Sequence, residues 1–400
     1  MRIVILGGSF GGLTAAYELR RLLGRDCEIS LVSKDRRFVF IPSLPWVALG
    51  TTTVERIAFD LQHPLGRKQI RFVHGEVRGI DVQGQRVAMA GQELEYDYLV
   101  VATGHRSASE AIPGLGPFTG PGHSLMSPPE AEEAGDAWRR FLEAPGPVVV
   151  GCAPGASCIG PAYEFVFEID HALRRRRMRH KVPITFVTPE PFLGHMGVGG
   201  FGRARQFLEG ALEERDIQFR TSAAVTRIAE GGIELAGGEA LDSRYSLIIP
   251  PLAGIRAVAD SPGLANPKGF IPVTDCYRHK DLANVYAVGV AVALPPADIT
   301  PVPVNFPKTG HMTEQMARIA ARSIAAGLRG GAVSSPELSA TCIMDMGGTA
   351  VYMAADPIRP PRNRVALHSG KHWLWAKKAF ASFYLWKMRN GIAGETKLGW

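Results

Sequence analysis

The chain has 400 residues, of which 46% are hydrophobic and 21% are charged. These values are typical of a folded protein of two or three domains at ~150 residues each, and they exclude a disordered, collagen-like or small disulfide-rich chain. Its 45 basic and 38 acidic residues give a net charge of +7, which weakly favours an anionic partner such as nucleic acid, an acidic substrate or anionic lipid.

The first residues predict a dinucleotide-binding βαβ unit. An apolar strand at 2–6 leads into a glycine-rich turn at 7–12, a helical segment at 13–23 and a second strand at 27–32. Such a turn lets the backbone approach a pyrophosphate at a helix N-terminus, although a plain tight turn would share this pattern. The chain enters this strand directly, without the pattern of a signal peptide, and none is expected.

Two details weaken a simple NAD-binding interpretation of this unit. Ser9 replaces the middle glycine of the GxGxxG pattern, and the second strand ends in Ser33 and Lys34 instead of an acid that would bind ribose. Two later strands end in Ala102-Thr103-Gly104 and in Gly289. All three patterns in this order are typical of flavoproteins with two dinucleotide-binding domains, whereas either strand alone would be unremarkable.

A second strand, turn and helix pattern lies at 147–158. The second and third glycines of its fingerprint are Ala153 and Ala156, with Pro154 in the loop, so each position is too bulky for close approach of a pyrophosphate. NAD(P)H is therefore not the expected substrate. A cysteine stands in the predicted first helical turn, where the helix N-terminus would lower the thiol pKa; a small buried apolar residue is the alternative.

The remainder of the chain carries a basic run, a linker and an aromatic helix. The run at 174–181 is short and lacks aromatic residues, so it predicts a solvated or lipid-facing patch and no nucleic-acid site. A linker at 331–337 precedes the helix at 373–389. A helical projection places its aromatic residues on one half and Lys377, Lys378, Ser382 and Arg389 on the other, with Lys387 as an exception.

This pattern predicts an interfacial helix at a membrane surface, and an aromatic helix packed on the protein body is the alternative. No apolar run reaches the ~18 residues of a membrane-spanning helix. The five cysteines contain no CxxC pair, so neither a secreted disulfide framework nor a structural zinc site is expected, and no metal is predicted.

Taken together, four groups of motifs resemble the sulfide:quinone oxidoreductases. They lie at 155–165, at 194–200, at 289–310 and at 342–347, and the resemblance covers nearly the whole chain. It implies an α/β fold with two Rossmann-like dinucleotide-binding domains and a C-terminal membrane-associating segment. The implied boundaries are an FAD-binding domain at 1–107 and 250–330, a second domain at 108–249 with a degenerate NAD-type site, and a quinone- and membrane-interaction segment at 331–400.

The resemblance also implies an activity, in which sulfide is oxidised to polysulfide or sulfur through Cys158, Cys342 and FAD, and the electrons pass to membrane quinone. Glu164 and His195 are the implied proton-handling residues, and Phe380 and Tyr384 are the implied quinone contacts. The implied FAD-binding residues are Gly7, Ser9, Phe10, Gly11, Ser33, Lys34, Pro42, Val77, Thr103, Gly104, Gly289, Val290, Lys308, Thr309 and Gly310.

The sequence departs from this family at two positions. Many members carry a third essential cysteine where this chain has Met126, and a histidine four residues later where it has Glu130. A thioether cannot act as a thiolate nucleophile, so either two cysteines suffice or Cys152 substitutes. Val290 stands where the wider superfamily has an aspartate that holds the ribityl chain, a replacement common in this branch.

Three other functions share parts of this pattern. A flavoprotein sulfide dehydrogenase would donate its electrons to a cytochrome, whereas the aromatic helix favours quinone. A type II NADH dehydrogenase is disfavoured by Ala153 and Ala156, and a non-catalytic flavin-binding protein is disfavoured by retention of both redox cysteines. We expect a peripheral, monotopic enzyme that binds anionic lipid. The sequence does not indicate which side of the membrane it binds, and it is compatible with a homo-oligomer.

Overall fold

The computed structural model of the chain describes residues 1–116, 118–331, 333 and 336–395. Residues up to 107 begin with a βαβ unit, as predicted, and then add a small β-meander. The elements are β1 (Arg2–Leu6), α1 (Phe10–Leu23), β2 (Glu28–Ser33), β3 (Arg37–Val39), α2 (Leu44–Ala48), β4 (Ala58–Asp60), α3 (Gln62–Arg67), β5 (Arg71–His74), β6 (Val77–Asp81), β7 (Arg86–Met89), β8 (Gln92–Glu95), β9 (Tyr98–Val101) and β10 (Arg106–Ser107).

The next part of the chain forms a second parallel sheet with its own helices, and a separate small sheet of β15, β16 and β17. The elements of this part of the chain are β11 (Gly122–His123), α4 (Pro128–Glu143), β12 (Val148–Cys152), α5 (Gly160–Arg175), β13 (Ile184–Val187), α6 (Ala204–Glu213), β14 (Ile217–Arg220), β15 (Val225–Ala229), β16 (Gly232–Leu235), β17 (Ala240–Asp242) and β18 (Tyr245–Ile249). The sheet has the order β11-β18-β12-β13-β14, and every pairing in it is parallel. All five residues of β12 and of β18 are buried, as expected for a parallel sheet covered on both faces.

The chain then returns to the first sheet and completes it. The elements of this stretch are β19 (Leu252–Ala253), α7 (Arg256–Ala259), β20 (Val285–Ala287) and α8 (Gly310–Gly327). The first sheet has the order β20-β9-β1-β2-β5 with parallel pairings throughout. Because β1 lies at its centre, the glycine turn that follows β1 opens at the carboxyl edge of the sheet, where α/β proteins bind ligands.

The C-terminal part is a three-stranded antiparallel sheet followed by one long helix. These elements are β21 (Ala340–Asp345), β22 (Ala350–Asp356), β23 (Arg364–Gly370) and α9 (Lys371–Arg389). Strand β21 packs against α5, and α9 packs against β21 and β22. This arrangement brings the C-terminal sheet and helix against α5, which begins two residues after Cys158, one of the two predicted redox cysteines.

The C-terminal helix is joined to the first domain by polar contacts as well as by packing. The Tyr17 hydroxyl on α1 donates to the Met388 carbonyl at 2.9 Å, and the Lys387 ammonium donates to Glu314 on α8 at 2.8 Å. Within the described ranges, no helix combines the length and the apolar character needed to cross a membrane. Part of the predicted linker, at 332, 334 and 335, and Trp400 lie outside the described residues.

Candidate functional site

The turn after β1 forms a cradle and passes so close to its neighbours that its first position requires glycine. Gly7 has a φ of 111°, and a Cβ atom there would lie 2.2 Å from the Ala102 carbonyl oxygen. A Cβ on Gly11 would touch Val288 and Thr313 at 3.0–3.1 Å. Helix α1 begins at Phe10, and its N-cap Ser9 makes no side-chain capping bond. The first backbone N–H groups of α1 are therefore directed toward the turn, where a pyrophosphate would accept them.

The strand end that faces this turn carries further groups suited to a flavin nucleotide. Thr103, which follows β9, has a buried hydroxyl without a hydrogen-bond partner among the described residues. The Lys308 ammonium donates to the carbonyls of Val290 and Val292 at 3.3 and 2.6 Å, and burial lowers its pKa to about 8. These groups fit FAD, because the cofactor would supply hydrogen-bond acceptors for both the Thr103 hydroxyl and the buried Lys308 ammonium.

The other predicted FAD-binding residues fall at the edges of the same region. Gly104 and Gly289 both adopt positive φ, and Thr309 caps α8 by accepting the Met312 amide at 3.4 Å. Gly310 opens α8 against the Phe10 ring, which a Cβ would meet at 3.0 Å. Ser33 and Lys34 end β2, exposed Pro42 lies in a short 3-10 turn, and Val77 begins β6.

Cys158 and Cys342, which are 184 residues apart in the chain, come together in the fold. Both are free thiols, and ionisation of Cys342 contributes to raising the pKa of Cys158. Cys158 lies in the loop two residues before α5, and Cys342 lies in β21, which packs on α5. The Cys342 side chain is accessible to solvent, although enough protein atoms surround its sulfur for desolvation to raise its pKa.

The prediction that a helix N-terminus lowers the thiol pKa is wrong. Burial raises the pKa of Cys158 to about 12 and that of Cys342 to about 11. Cys158 precedes even the N-cap residue Ile159, so it does not lie in the first turn of α5, and desolvation outweighs the dipole. A reduced pair in this site therefore holds its protons tightly, and a neighbouring base is needed to remove them.

Glu164 on α5, a predicted proton-handling residue, lies close to Cys342. It forms a buried ion pair with Lys377, whose side chain enters from α9, and its charge contributes to raising the pKa of Cys342. Desolvation raises the pKa of the Glu164 carboxyl from 4.5 to about 7 although the Lys377 charge opposes this shift. A carboxyl that titrates near neutral pH beside a redox thiol is suited to general acid–base chemistry.

His195 is held in a different environment from the one predicted. Its imidazole is 1% exposed, with Nε2 at 2.8 Å from the Asp298 carboxylate and Nδ1 accepting the Gly197 amide at 3.2 Å. Both ring nitrogens are thus engaged in fixing the glycine-rich loop at 194–200, and His195 makes no contact with either redox cysteine among the described hydrogen bonds. The predicted proton-handling role of His195 stays a prediction.

The second glycine fingerprint is closed by the chain itself. The Gly155 amide donates to the Pro303 carbonyl at 2.6 Å, and the Asn305 side chain donates back to the Gly155 carbonyl at 2.6 Å. The Asn305 amide also donates to the Ala156 carbonyl at 3.1 Å. The segment around 303–305 therefore occupies the turn against which the pyrophosphate of NAD(P)H would lie, which extends the argument made from Ala153 and Ala156.

Glu130 has a structural role at the position where the family has a histidine. Its carboxylate accepts the Ser107 hydroxyl and the Met126 amide, each at 3.0 Å, and also the Ser124 hydroxyl. These bonds fix the loop that carries Met126 at the start of α4. Cys152 is fully buried at the end of β12, and its pKa is raised well above its ordinary value by desolvation, so it is poorly suited to replace the missing nucleophile.

The aromatic helix α9 is oriented differently from the prediction. Lys377, assigned to the polar half, is buried, and so is Lys387, because each meets a buried glutamate on α5 or α8. The outward surface carries three large aromatic side chains interspersed with Lys378 and Arg389. These side chains, with their exposed fractions, are Trp375 (74%), Phe383 (49%) and Trp386 (54%).

The two predicted quinone contacts lie on the inner side of α9. Tyr384 is 2% exposed, donates to Glu314 at 3.1 Å and packs its ring 5.0 Å from that of Phe10. Phe380 is half-buried at 5.8 Å from Tyr384 and 6.2 Å from Phe40. Of the two rings, only Phe380 is accessible to a ligand that approaches from outside, and the quinone role of both stays a prediction.

Several site residues gave little or no sequence signal. His105 directly follows the Ala-Thr-Gly strand end, and burial together with the Lys308 charge lowers its pKa to about 4, so it is neutral near the cradle. Asp345 accepts Trp46 Nε1 at 3.0 Å beside the cysteine pair. Two sequence signals could have pointed to such residues. His105 directly follows the Ala-Thr-Gly motif, and Lys387 departs from the pattern of polar and aromatic residues on its helix.

Comparison with known proteins places the chain among flavin oxidoreductases. Residues 1–317 match the family model of the pyridine nucleotide-disulphide oxidoreductases. The chain is 37% identical over 400 residues to the sulfide-quinone reductase of Aquifex aeolicus, covering 97% of this chain and 91% of that relative. The mitochondrial sulfide:quinone oxidoreductase of Mus musculus is 23% identical over 310 residues, covering 73% of this chain and 66% of that relative.

Solved structures agree with these matches. The X-ray structure of the sulfide:quinone oxidoreductase from Aquifex aeolicus has a TM-score of 0.94 at 37% identity, covering 98% of this chain and 92% of that chain. The NDH2 of Plasmodium falciparum has a TM-score of 0.72 at 14% identity, covering 98% and 96%, and this likeness concerns the fold alone.

Proposed function

The chain belongs to the sulfide:quinone oxidoreductase family, within the pyridine nucleotide-disulphide oxidoreductases, and from this we propose that it oxidises sulfide and reduces a membrane quinone. The observation that carries this proposal is the convergence of Cys158 and Cys342 beside the buried pair of Glu164 and Lys377. The product is a polysulfide or sulfur chain that grows on the cysteines.

The sulfide step is a thiol–disulfide exchange at the oxidised cysteine pair. Hydrosulfide attacks one sulfur of the Cys158–Cys342 disulfide, the S–S bond breaks, and one cysteine becomes a persulfide while the other leaves as a thiolate. We assign the flavin-facing thiolate to Cys342, whose side chain is accessible to solvent. When bound, FAD would supply a two-electron acceptor: as the two electrons leave, the deprotonated persulfide and the thiolate join in a trisulfide, and the electrons pass on to the quinone.

Proton transfer is assigned to Glu164. The persulfide must lose its proton before its sulfur can extend the chain, and burial holds the neighbouring thiols at high pKa. Glu164, with its pKa near 7, can accept this proton and release it within one turnover. Lys377 keeps the carboxyl partly ionised near neutral pH, because its charge opposes the desolvation of Glu164.

FAD is assigned to the cradle between the glycine turn and α8. The α1 N-terminus would hold the pyrophosphate, and the Thr103 hydroxyl would bind the cofactor beside it. Lys308 would place a cation at the pyrimidine edge, where negative charge develops on reduction. Close packing at Gly7 and Gly11 leaves no room for a side chain there.

The quinone acceptor is supported by the outward face of α9. Trp375, Phe383 and Trp386 are exposed beside Lys378 and Arg389, a composition that favours the headgroup region of an anionic membrane. A cytochrome acceptor would need a docking surface, and nothing in the described residues favours one. We therefore propose a peripheral, monotopic membrane enzyme in which quinone reaches the flavin beside α9.

An anaerobic reduction experiment tests the electron donor. The purified yellow holoprotein is mixed with sulfide and, separately, with NADH, and flavin bleaching is followed. We expect bleaching by sulfide and none by NADH, because the Gly155 turn is closed by Pro303 and Asn305. Bleaching by NADH but not by sulfide would refute the proposal and favour an NADH dehydrogenase.

Cysteine variants test the redox pair. Cys158→Ser and Cys342→Ser should each abolish sulfide-driven quinone reduction, because neither serine can form the disulfide that hydrosulfide attacks. Cys27→Ser is the matched control, since Cys27 is buried at the start of β2, away from the site. Equal activity of all three variants would remove the cysteine pair from the mechanism.

A further inference from the structure

Three buried carboxyl groups and one ammonium group lie together beside Cys342. We call Glu164, Glu168, Asp345 and Lys377 the acid cluster. Glu164 and Glu168 are four residues apart on α5, Asp345 ends β21, and Lys377 reaches in from α9. All four residues are at most 7% exposed. Full ionisation would give a net charge of −2 in a region from which water is excluded.

The hydrogen-bond donors around this cluster are unevenly distributed. Lys377 donates to Glu164, and Asp345 accepts Trp46 Nε1 at 3.0 Å and the Gly347 amide at 2.8 Å. Among the described residues, no N–H or hydroxyl group donates a hydrogen bond to either carboxyl oxygen of Glu168, and the side chain that approaches it closely enough to share one is the acidic Asp345. Two of the three carboxyl groups thus receive hydrogen bonds from donor groups, and the third does not.

We propose that Glu168 stores a proton next to the redox cysteines and supplies it to the acid cluster during quinone reduction. A buried carboxylate without donors is strongly destabilised, whereas the neutral acid keeps an O–H group that it can donate. The neighbouring Asp345 carboxylate is an acceptor for that group. Glu168 therefore enters the cycle as the protonated member of a pair of carboxyl groups.

The electrostatic environment supports this assignment. The pKa of Glu168 is raised well above its ordinary value, first by burial and then by the charges of Glu164 and Asp345. The charged groups that face it are Glu164 on its own helix, Asp345 on β21 and Lys377 on α9, and only Lys377 opposes the rise. The single cation is already paired with Glu164, so it is a weaker partner for Glu168.

Quinone reduction consumes a proton that Glu168 can supply; this part of the argument rests on the proposed function. Hydrosulfide, quinone and one further proton yield zero-valent sulfur and quinol. Hydrosulfide supplies both electrons for this reaction but only one of the two protons that quinol carries. The further proton must come from the protein or from water. The ion pair of Glu164 and Lys377 connects Cys342 to α9, where the quinone is proposed to approach, and Glu168 lies next to both members of that pair.

Infrared spectroscopy of the holoprotein tests the stored proton without any turnover. A buried neutral carboxyl group gives a C=O stretching band that an ionised carboxylate lacks, and it shifts in D₂O. We expect this band in the wild-type protein at about pH 9, where the Glu164 carboxyl with its pKa of about 7 is ionised, and its loss in Glu168→Gln. Glu18→Gln is the control, because Glu18 is equally buried but the Arg21 guanidinium beside it helps hold its carboxyl pKa below the ordinary value.

Isotope labelling removes the dependence on a folded variant. Wild-type protein containing glutamate with a ¹³C side-chain carboxyl should show the band displaced if a glutamate carries the proton. An undisplaced band, or a band retained in Glu168→Gln, would overturn the proposal. Glutamine has the shape of the neutral acid and keeps a donor toward Asp345, so the variant should bind FAD normally.

Kinetics of the two half-reactions test the role of the proton. In Glu168→Gln, flavin bleaching by sulfide should stay within about twofold, while quinone reduction falls about tenfold or more, with the deficit growing as pH rises. Unchanged quinone reduction at every pH would overturn the store. If sulfide failed to bleach the wild-type flavin, the proposed function would fail, whereas the infrared result would still decide the protonation of Glu168.

Discussion

Replacement of Lys377 by methionine should make the stability of the protein depend on pH over a wider range. Burial already raises the pKa of Glu164 from 4.5 to about 7, even though the Lys377 charge opposes the rise. Lys377→Met removes the opposing charge and retains much of the side-chain volume. The folded-state pKa of Glu164 should therefore rise further, to a value above 7.

The sign and size of the effect follow from proton linkage. A carboxyl with a raised folded-state pKa contributes its full stability below pH 4.5 and loses it as pH rises toward the folded-state value. In the wild type this loss amounts to about 3 kcal/mol and ends near pH 7. In Lys377→Met the loss should continue above pH 7 at about 1.4 kcal/mol per pH unit, reaching a further 2–3 kcal/mol or so near pH 9.

Urea unfolding of the holoprotein at several pH values measures this difference. Lys378→Met is the matched control, because Lys378 is the exposed neighbour on the same helix. A double variant that combines Glu164→Gln with Lys377→Met should lose the part of the extra pH dependence that comes from Glu164, since that carboxyl is no longer there to titrate. If the free energies of unfolding of Lys377→Met and the wild type ran parallel above pH 7, the buried pair would not be coupled as described.

Three further predictions use the same structure. Alkylation of the reduced Cys158 and Cys342 by iodoacetamide should be slow near neutral pH and rise about tenfold per pH unit up to about pH 11, because burial raises both pKa values; a plateau near pH 8 would contradict this. Glu130→Ala should destabilise the protein by about 2–3 kcal/mol in urea, since it leaves two hydroxyls and an amide without their acceptor, and an unchanged unfolding midpoint would contradict the assigned loop role. Serine substitutions of Trp375, Phe383 and Trp386, on the outer face of α9, should reduce sedimentation of the protein with anionic vesicles. The control Phe118→Ser, which removes an exposed aromatic side chain elsewhere, should not.

Much of the architecture could be predicted from the sequence, because its signals are local. The glycine turn after β1, the Ala-Thr-Gly strand end and the degenerate second fingerprint each combine a strand, a turn and a helix within about thirty residues. The family, the α/β fold with two Rossmann-like domains and the sulfide:quinone oxidoreductase function are confirmed by the comparisons.

The interior of the site could not be predicted in the same way. The pKa of Cys158 depends on desolvation, which is a property of the packed structure and not of its position before a helix. The acid cluster draws its members from α5, β21 and α9, and no spacing in the chain relates Glu168 to Asp345 or to Lys377. Helical periodicity placed Lys377 outside, because it cannot register a buried carboxylate on another helix.

The closed turn at Gly155 has a consequence for the physiology of the cell. A flavin that accepted hydride from NADH would be reduced whenever the nicotinamide pool was reduced, whether or not sulfide was present. Because Pro303 and Asn305 belong to the same chain, a dinucleotide could enter this turn only by displacing their hydrogen bonds to Gly155. We expect quinone reduction by this protein to report the supply of sulfide and to be insulated from the redox state of central metabolism.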